Sequence, residues 1–523
     1  MQKASSKEAI DNLIDLDGTS LTPESIWLIV NSPKIKVTVR KNISQILAAH
    51  SFLCKSAEKK IIYGVNTGFG PMASRIISKE KLRELQKNLI RSHASGAGEP
   101  LREDFVLAAM IVRLNTLSKG VSGVSLALIS HLISFINHRI IPVVPEHGAV
   151  GTSGDLVQLA HIALALIGEG EVFYKGKRLP TKKVLRQLNI TPYTLQIKEG
   201  ISLINGTAMM SGIASILLHD AEKISTASLQ LGAFSLEIIG AYDDSIAKEL
   251  HKLRPHAGQF SAAKSIREFL KDSKRLHCRY DSKSNNTDIN STTYALPRAI
   301  QDVYSFRCIP QIIGPLLETV VHARRVIAIE INSATDNPLI DIKKGKFLHG
   351  GNFHGDYIAT IIDQLKIPLI KASLLSERRI NYLLDEKING SFPPFLNLNT
   401  PGLTLALQGL QFVATSTAAQ NQTFAFPHSI HTISTNGSNQ DVVSMGTDAA
   451  LFLSKIIDNI YIIFAIELIN LLQAFDITHD YKNFSTTAKV FYKKARMVSP
   501  QIKEDRSLTP DINSLIHLLK NNV

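Results

Sequence analysis

Residues 356–384 read DYIATIIDQLKIPLIKASLLSERRINYLL, and residues 441–475 read DVVSMGTDAALFLSKIIDNIYIIFAIELINLLQAF. Both runs carry apolar residues on several faces at helical spacing, and both are far too long for a strand. They predict long helices packed together as a bundle. Residues 310–333 extend the pattern, with no breaker beyond Gly314 and Pro315. Ser78 offers an N-cap to a segment in which Leu82, Leu85 and Leu89 recur at three- and four-residue spacing, ending near Gly96. Strand-like runs are few and short, residues 60–63 and 172–174 among them, and strands do not alternate regularly with helices. A mainly α fold follows.

The 523 residues carry a net charge of +13, with 44% hydrophobic and 20% charged residues, the balance of a globular chain and not of a disordered one. That length leaves room for about three to four folding units, each able to bury a core. No repeat, low-complexity tract or Pro/Ser linker divides them, so internal boundaries are soft. Cys54, Cys278 and Cys308 are odd in number and far apart, which supports neither a disulfide framework nor a cysteine metal site, and points to a reducing, cytoplasmic setting. Residues 1–18 lack the apolar core of a secretion signal. The apolar run 200–218 includes Ser202, Asn205, Thr207 and glycines, so it is expected inside protein and not in lipid. Basic residues are scattered. The densest run, 264–283, is broken by Glu268, Asp272 and Asp281 and accompanied by no aromatic platform, so a solvated face is expected and not a nucleic-acid stripe. From residue 388 to 440 there is no Asp, Glu, Lys or Arg. Such a stretch is expected to be buried in a core, an active site or a subunit interface.

The common catalytic signatures of P-loop, zinc-protease and serine-hydrolase enzymes are absent. Residues 63–70, YGVNTGFG, lack the lysine and glycine spacing of a phosphate loop, but they place Tyr63 on a glycine-rich loop of the kind that closes over substrates. Residues 148–161 read GAVGTSGDLVQLAH. By residue type alone Asp155 is a helix N-cap and the glycines form a tight turn. His93 near a helix C-terminus, Asn205, Tyr304 and Arg307 each have an ordinary structural reading when taken alone.

Taken together, these blocks resemble the aromatic amino acid lyases, which include histidine, tyrosine and phenylalanine ammonia-lyases. In that family a three-residue segment cyclises with loss of two waters to give 4-methylidene-imidazol-5-one, an electrophilic prosthetic group. Here the segment would be Thr152-Ser153-Gly154, with threonine where the family commonly has alanine. Gly154 has no side chain to obstruct approach of its nitrogen to the carbonyl carbon of Thr152, and Ser153 carries the hydroxyl whose elimination leaves a methylene. Residues 63–70 resemble the catalytic tyrosine loop, 203–207 the segment of the electrophile-facing asparagine, and 301–308 the block with a second tyrosine and a carboxylate-binding arginine. Residues 336–338, 351–354 and 439–441 match as well, and the likeness is strongest to bacterial tyrosine ammonia-lyases.

The resemblance implies the mainly α, long-helix bundle of the ammonia-lyase and fumarase type. Residues 1–200 would form a smaller mixed part bearing the tyrosine loop and prosthetic group, and residues 201–523 the bundle and C-terminal helices. It also implies a homotetramer with shared active sites, and no metal, diffusible cofactor, nucleic acid or membrane. Elimination of ammonia from an aromatic L-amino acid would use Tyr63 as general base. Arg307 and Asn337 would hold the carboxylate, Asn205, Tyr304 and Gln301 would orient the electrophile, and Ser92, His93, Phe353 and Gln420 would line the substrate site. Ser92-His93 occurs in histidine ammonia-lyases, but Gln420 stands where those enzymes carry a glutamate able to pair with imidazole. The residues therefore predict a tyrosine ammonia-lyase forming trans-p-coumarate, with histidine ammonia-lyase or an aromatic aminomutase as the alternative. A non-enzymatic helical scaffold is the least favoured reading.

Overall fold

The computed structural model describes residues 12–278 and 299–522. Helices dominate. Ala208–Ile238, Ile309–Glu330, Asp356–Leu384 and Gly446–Thr478 contain 31, 22, 29 and 33 residues. The run read as 441–475 thus starts five residues later and continues through Thr478. Two compact units are drawn from interleaved segments of the chain: residues 12–219, 323–363 and 427–451 belong to the first, and the other described residues to the second.

The first unit is mixed. Leu13–Asp15 pairs in parallel with Lys36–Thr38, and Glu171–Tyr174 lies antiparallel between Ile141–Pro142 and Lys177–Pro180. Residues 60–63 are not a strand. The Asn66 amide takes their hydrogen bonds instead, accepting from Ile62 N at 2.7 Å and donating to Lys60 O at 2.8 Å, so no ladder partner is needed. Glu103–Ser118 is buried from Phe105 through Ser118 on every face, the polar Arg113 and Asn115 included. The segment after Ser78 begins as a short 3₁₀ turn, Lys79–Lys81, and continues as the helix Leu82–His93. Its Leu82 and Leu89 are buried, and it packs against Leu156–Leu166 and Glu199–Ile204. That three-helix contact frames the site described below.

In the second unit, Arg379 and Glu467 form an ion pair with no exposure on either side chain, and Ser376 also donates to Glu467 at 2.6 Å. Gly446–Thr478 is long and apolar enough to cross a membrane, yet most of its most apolar window is buried in protein and Glu467 finds its partners there. The charge-free stretch is not buried in this chain's core throughout. Within the chain Leu403, Phe412 and Ile433 are 81%, 65% and 75% exposed. Many of its amides serve their own loops, as when Asn397 Nδ2 donates to Thr404 O at 2.8 Å, so lack of charge does not mean burial in this chain's core. The basic run opens on the helix Ala257–Phe269, where Lys264 pairs with Glu268, and its residues 279–283 lie outside the described residues, as do residues 1–11 of the N-terminal segment.

Candidate active site

The turn before Leu156–Leu166 is held by a second turn, at residues 205–207. Gly154 has φ +72°, and a Cβ added there would lie 1.9 Å from Gly206 O, so only glycine fits. Gly206 N donates to Ser153 O at 3.1 Å, and Asn205 Nδ2 donates to the same oxygen at 2.8 Å. Two N–H groups therefore converge on one carbonyl oxygen, an arrangement that favours negative charge on it. Asn205 Oδ1 is buried without a protein partner. The asparagine is anchored through its own carbonyl, which accepts from Arg113 Nη2 at 2.8 Å. Arg113 is wholly buried, and desolvation lowers it to about 10, so it stays charged at neutral pH.

Asp155 precedes the helix as expected but does not cap it with its side chain. Its carboxylate accepts from Met210 N at 2.9 Å and Thr447 Oγ1 at 2.6 Å, tying the turn to the start of Ala208–Ile238. Burial pushes Asp155 up to about 6 against the opposing pull of these donors and of Arg113. Lys198 donates to Asp336 at 3.0 Å, to Ser202 Oγ at 2.9 Å and to Ser122 O at 2.8 Å, with neither member of the ion pair exposed. This pair fixes the backbone immediately before Asn337.

A cavity of about 330 Å³ opens over the turn, within the range of small-molecule sites. Of the residues expected at a site, it gathers Tyr63, Ser92, His93, Ser153, Asn205, Asn337 and Phe353. Tyr63 reaches it on its loop, and its hydroxyl oxygen accepts from Gly70 N at 3.1 Å. Gly70 has φ +54°, a left-handed conformation that favours glycine at the position of that donor. His93 is the last residue of Leu82–His93, and its Nδ1 lies 2.9 Å from Leu89 O. That bond places the proton on Nδ1 and leaves Nε2 as the basic nitrogen. Among the described residues lining the cavity there is no Lys or Arg.

Gln301, Tyr304, Arg307 and Gln420 do not line this cavity; all four belong to the second unit. There the Arg307 guanidinium lies 4.6 Å from the Tyr304 ring centre, Tyr304 is 69% exposed, and Arg307 Nε is buried without a partner. Gln420 Oε1 accepts from Asn459 Nδ2 at 2.8 Å. Thr152, within the turn, is buried and does not line the cavity. The cavity also recruits Asn436, Asn439 and Gln440, to which the sequence reading assigned no role. Their signal was present in the 439–441 block and in the abundance of amides in a charge-free stretch.

The family described as aromatic amino acid lyase matches residues 21–497. The chain is 37% identical over 509 residues to a histidine ammonia-lyase of Bacillus velezensis, covering 97% of this chain and 96% of that one. It superposes on tyrosine aminomutase from Streptomyces globisporus with a TM-score of 0.91 at 34% identity, covering 97% and 96% of the two chains. With histidine ammonia-lyase from Trypanosoma cruzi the TM-score is 0.87 at 32% identity, covering 97% and 93%. These matches extend beyond the blocks recognised between residues 63 and 441. They favour histidine ammonia-lyase over the tyrosine preference inferred from Gln420.

Proposed function

Because the chain belongs to the aromatic amino acid lyase family and is an ammonia-lyase, we propose that it eliminates ammonia from L-histidine, using a methylidene-imidazolone formed from Thr152-Ser153-Gly154. The observation that carries the reading is the pair of donors, Asn205 Nδ2 and Gly206 N, on the carbonyl oxygen of Ser153. The residues fit the group: Gly154 leaves no room for a Cβ, Ser153 brings the hydroxyl to be eliminated, and Asn205 Oδ1 is an orphaned polar atom at the same place. When formed, the group supplies an electrophile for the substrate's amine. Tyr63 accepts the β-proton on its phenolic oxygen, where the Gly70 N–H favours the negative charge carried before the transfer, and leaves the step as the neutral phenol. Asn337 takes one side of the carboxylate. His93, with Nε2 basic and Ser92 beside it, meets the substrate's ring, while Phe353 packs against it.

Among the described residues the cavity offers no Lys or Arg for the carboxylate, whereas Arg307 has a buried nitrogen without a hydrogen-bond partner in the other unit. This supports sites completed by Gln301, Tyr304, Arg307 and Gln420 of neighbouring copies in a homotetramer. The exposed apolar residues of the charge-free stretch support the same assembly. The cysteine usage that suggested a reducing compartment supports a cytoplasmic enzyme.

Tyrosine is the second reading, favoured by Gln420. An uncharged amide, its oxygen already accepting from Asn459, cannot form the ion pair with imidazolium that a carboxylate would. Comparing kcat/KM for L-histidine, L-tyrosine and L-phenylalanine, while measuring both unsaturated acid and β-amino acid, tests the proposal. Histidine should lead, with unsaturated acid as product. Tyrosine in the lead would transfer the assignment to the second reading, and β-amino acid as the main product would make the enzyme an aminomutase.

A further inference from the structure

Thr152 occupies the first position of the proposed ring-forming segment, where its carbonyl carbon alone enters the ring. Its side chain is nevertheless engaged. Thr152 Oγ1 lies 2.6 Å from Gln440 Oε1, and Gln440 Nε2 lies 2.9 Å from Ser153 Oγ. The amide thus bridges the side chains of two consecutive residues. Its backbone is already pinned, since Gln440 N donates to Thr435 O at 3.2 Å and Thr435 N to Gln440 O at 2.9 Å. What remains to be set is which end of the amide faces which hydroxyl. The distances favour one orientation: 2.6 Å suits O–H···O and is short for N–H···O, whereas 2.9 Å is the usual N–H···O length. Thr152 is 3% exposed, so water does not compete for its hydroxyl.

We infer that Thr152 is a positioning residue for maturation of the prosthetic group: its hydroxyl donates to Gln440 Oε1 and thereby aims Gln440 Nε2 at Ser153 Oγ, the oxygen that must leave. This rests on the methylidene-imidazolone reading above. Ring closure forms a bond from Gly154 N to the Thr152 carbonyl carbon. The oxygen of that carbonyl departs as water with the amide hydrogens of Ser153 and Gly154. Ser153 then gives its Cα hydrogen to solvent as a proton, the electron pair forms the Cα=Cβ bond, and the Cβ–Oγ bond breaks. Oγ takes its electron pair and a proton and leaves as the second water. No oxidant or reductant enters. An N–H donor on Oγ eases departure with that pair, whereas a reversed amide would offer Oγ a carbonyl oxygen and give no such help.

The test is a time course of intact mass after cell-free synthesis of the full chain, comparing the parent with Thr152→Val, Thr152→Ser and Gln440→Leu. Valine keeps the branching and removes the hydroxyl; serine keeps the hydroxyl. The parent should lose two waters. Thr152→Val should lose the second water roughly two- to tenfold more slowly, the effect of one neutral hydrogen bond, and Thr152→Ser should follow the parent. Gln440→Leu should be slow, and adding Thr152→Val to it should slow it no further, because both changes remove the same contact. Melting of each variant checks that slowing is not loss of fold. Should the melting temperature of Thr152→Val fall, matching slowing in the more stable Gln440→Leu still supports the inference, and normal maturation there overturns it. Thr152→Val keeping pace with a parent that loses two waters overturns this inference alone, as does Thr152→Ser slowing equally. A parent that retains its full mass overturns the prosthetic-group reading and this inference with it.

Discussion

Replacing Tyr63 by phenylalanine separates chemistry from architecture. The ring is retained, so its edge-to-face contact with Phe69, at 6.5 Å between ring centres, survives. The protein contact removed is the 3.1 Å bond from Gly70 N to the hydroxyl oxygen, a neutral hydrogen bond worth about 0.5 to 1.5 kcal/mol of stability. A general base contributes about 10²- to 10⁴-fold, which corresponds to roughly 2.7 to 5.4 kcal/mol of barrier at 1.36 kcal/mol per decade. The kinetic loss should therefore exceed the largest stability loss by at least about 1 kcal/mol. The assay follows appearance of the conjugated acid from L-histidine and L-tyrosine, alongside urea unfolding and binding of the product acid. Turnover should fall at least a hundredfold, unfolding should shift by no more than the hydrogen bond allows, and product binding should change little, because the carboxylate contacts are untouched. The intact mass should still lack two waters. A loss of turnover under tenfold would refute Tyr63 as the base and require another proton acceptor in the cavity.

Two further outcomes follow from the buried charges under the site. Lys198→Met strands the Asp336 carboxylate with no exposure and should cost about 3 to 5 kcal/mol in urea unfolding; a cost below about 1 kcal/mol would mean that Arg113 alone balances Asp336. Asp155 has a folded-state pKa of about 6, raised from 3.8, so the folded state holds its proton more tightly. The stability this contributes is complete below about pH 4 and is lost as pH rises to about 6, by up to about 3 kcal/mol. Asp155→Asn cannot titrate, so the variant should gain stability relative to the parent between pH 4 and 7; a parent-to-variant difference independent of pH would show that Asp155 does not titrate there.

Local pattern determined much of this protein by itself. The periodicity of residues 356–384 forecast the helix Asp356–Leu384 with both ends right, because a helix of that length depends on a repeat that neighbours do not alter. The motifs identified the family, and seven of the expected site residues do line one cavity. Residues 60–63 look strand-like in sequence, but a side-chain amide, that of Asn66, takes hydrogen bonds a strand would have used, and a short apolar run carries no trace of that competitor. Asp155 has the residue type of a cap, yet its carboxylate went to Met210 and Thr447, which only folding brings near. The absence of charge from 388 to 440 was legible, but which of its apolar side chains are exposed was not, since composition does not distinguish a core from an exposed face. Gln440 shows the limit most plainly. It stands 287 residues from Ser153 in the chain and 2.9 Å away in the fold, a pairing set by packing alone.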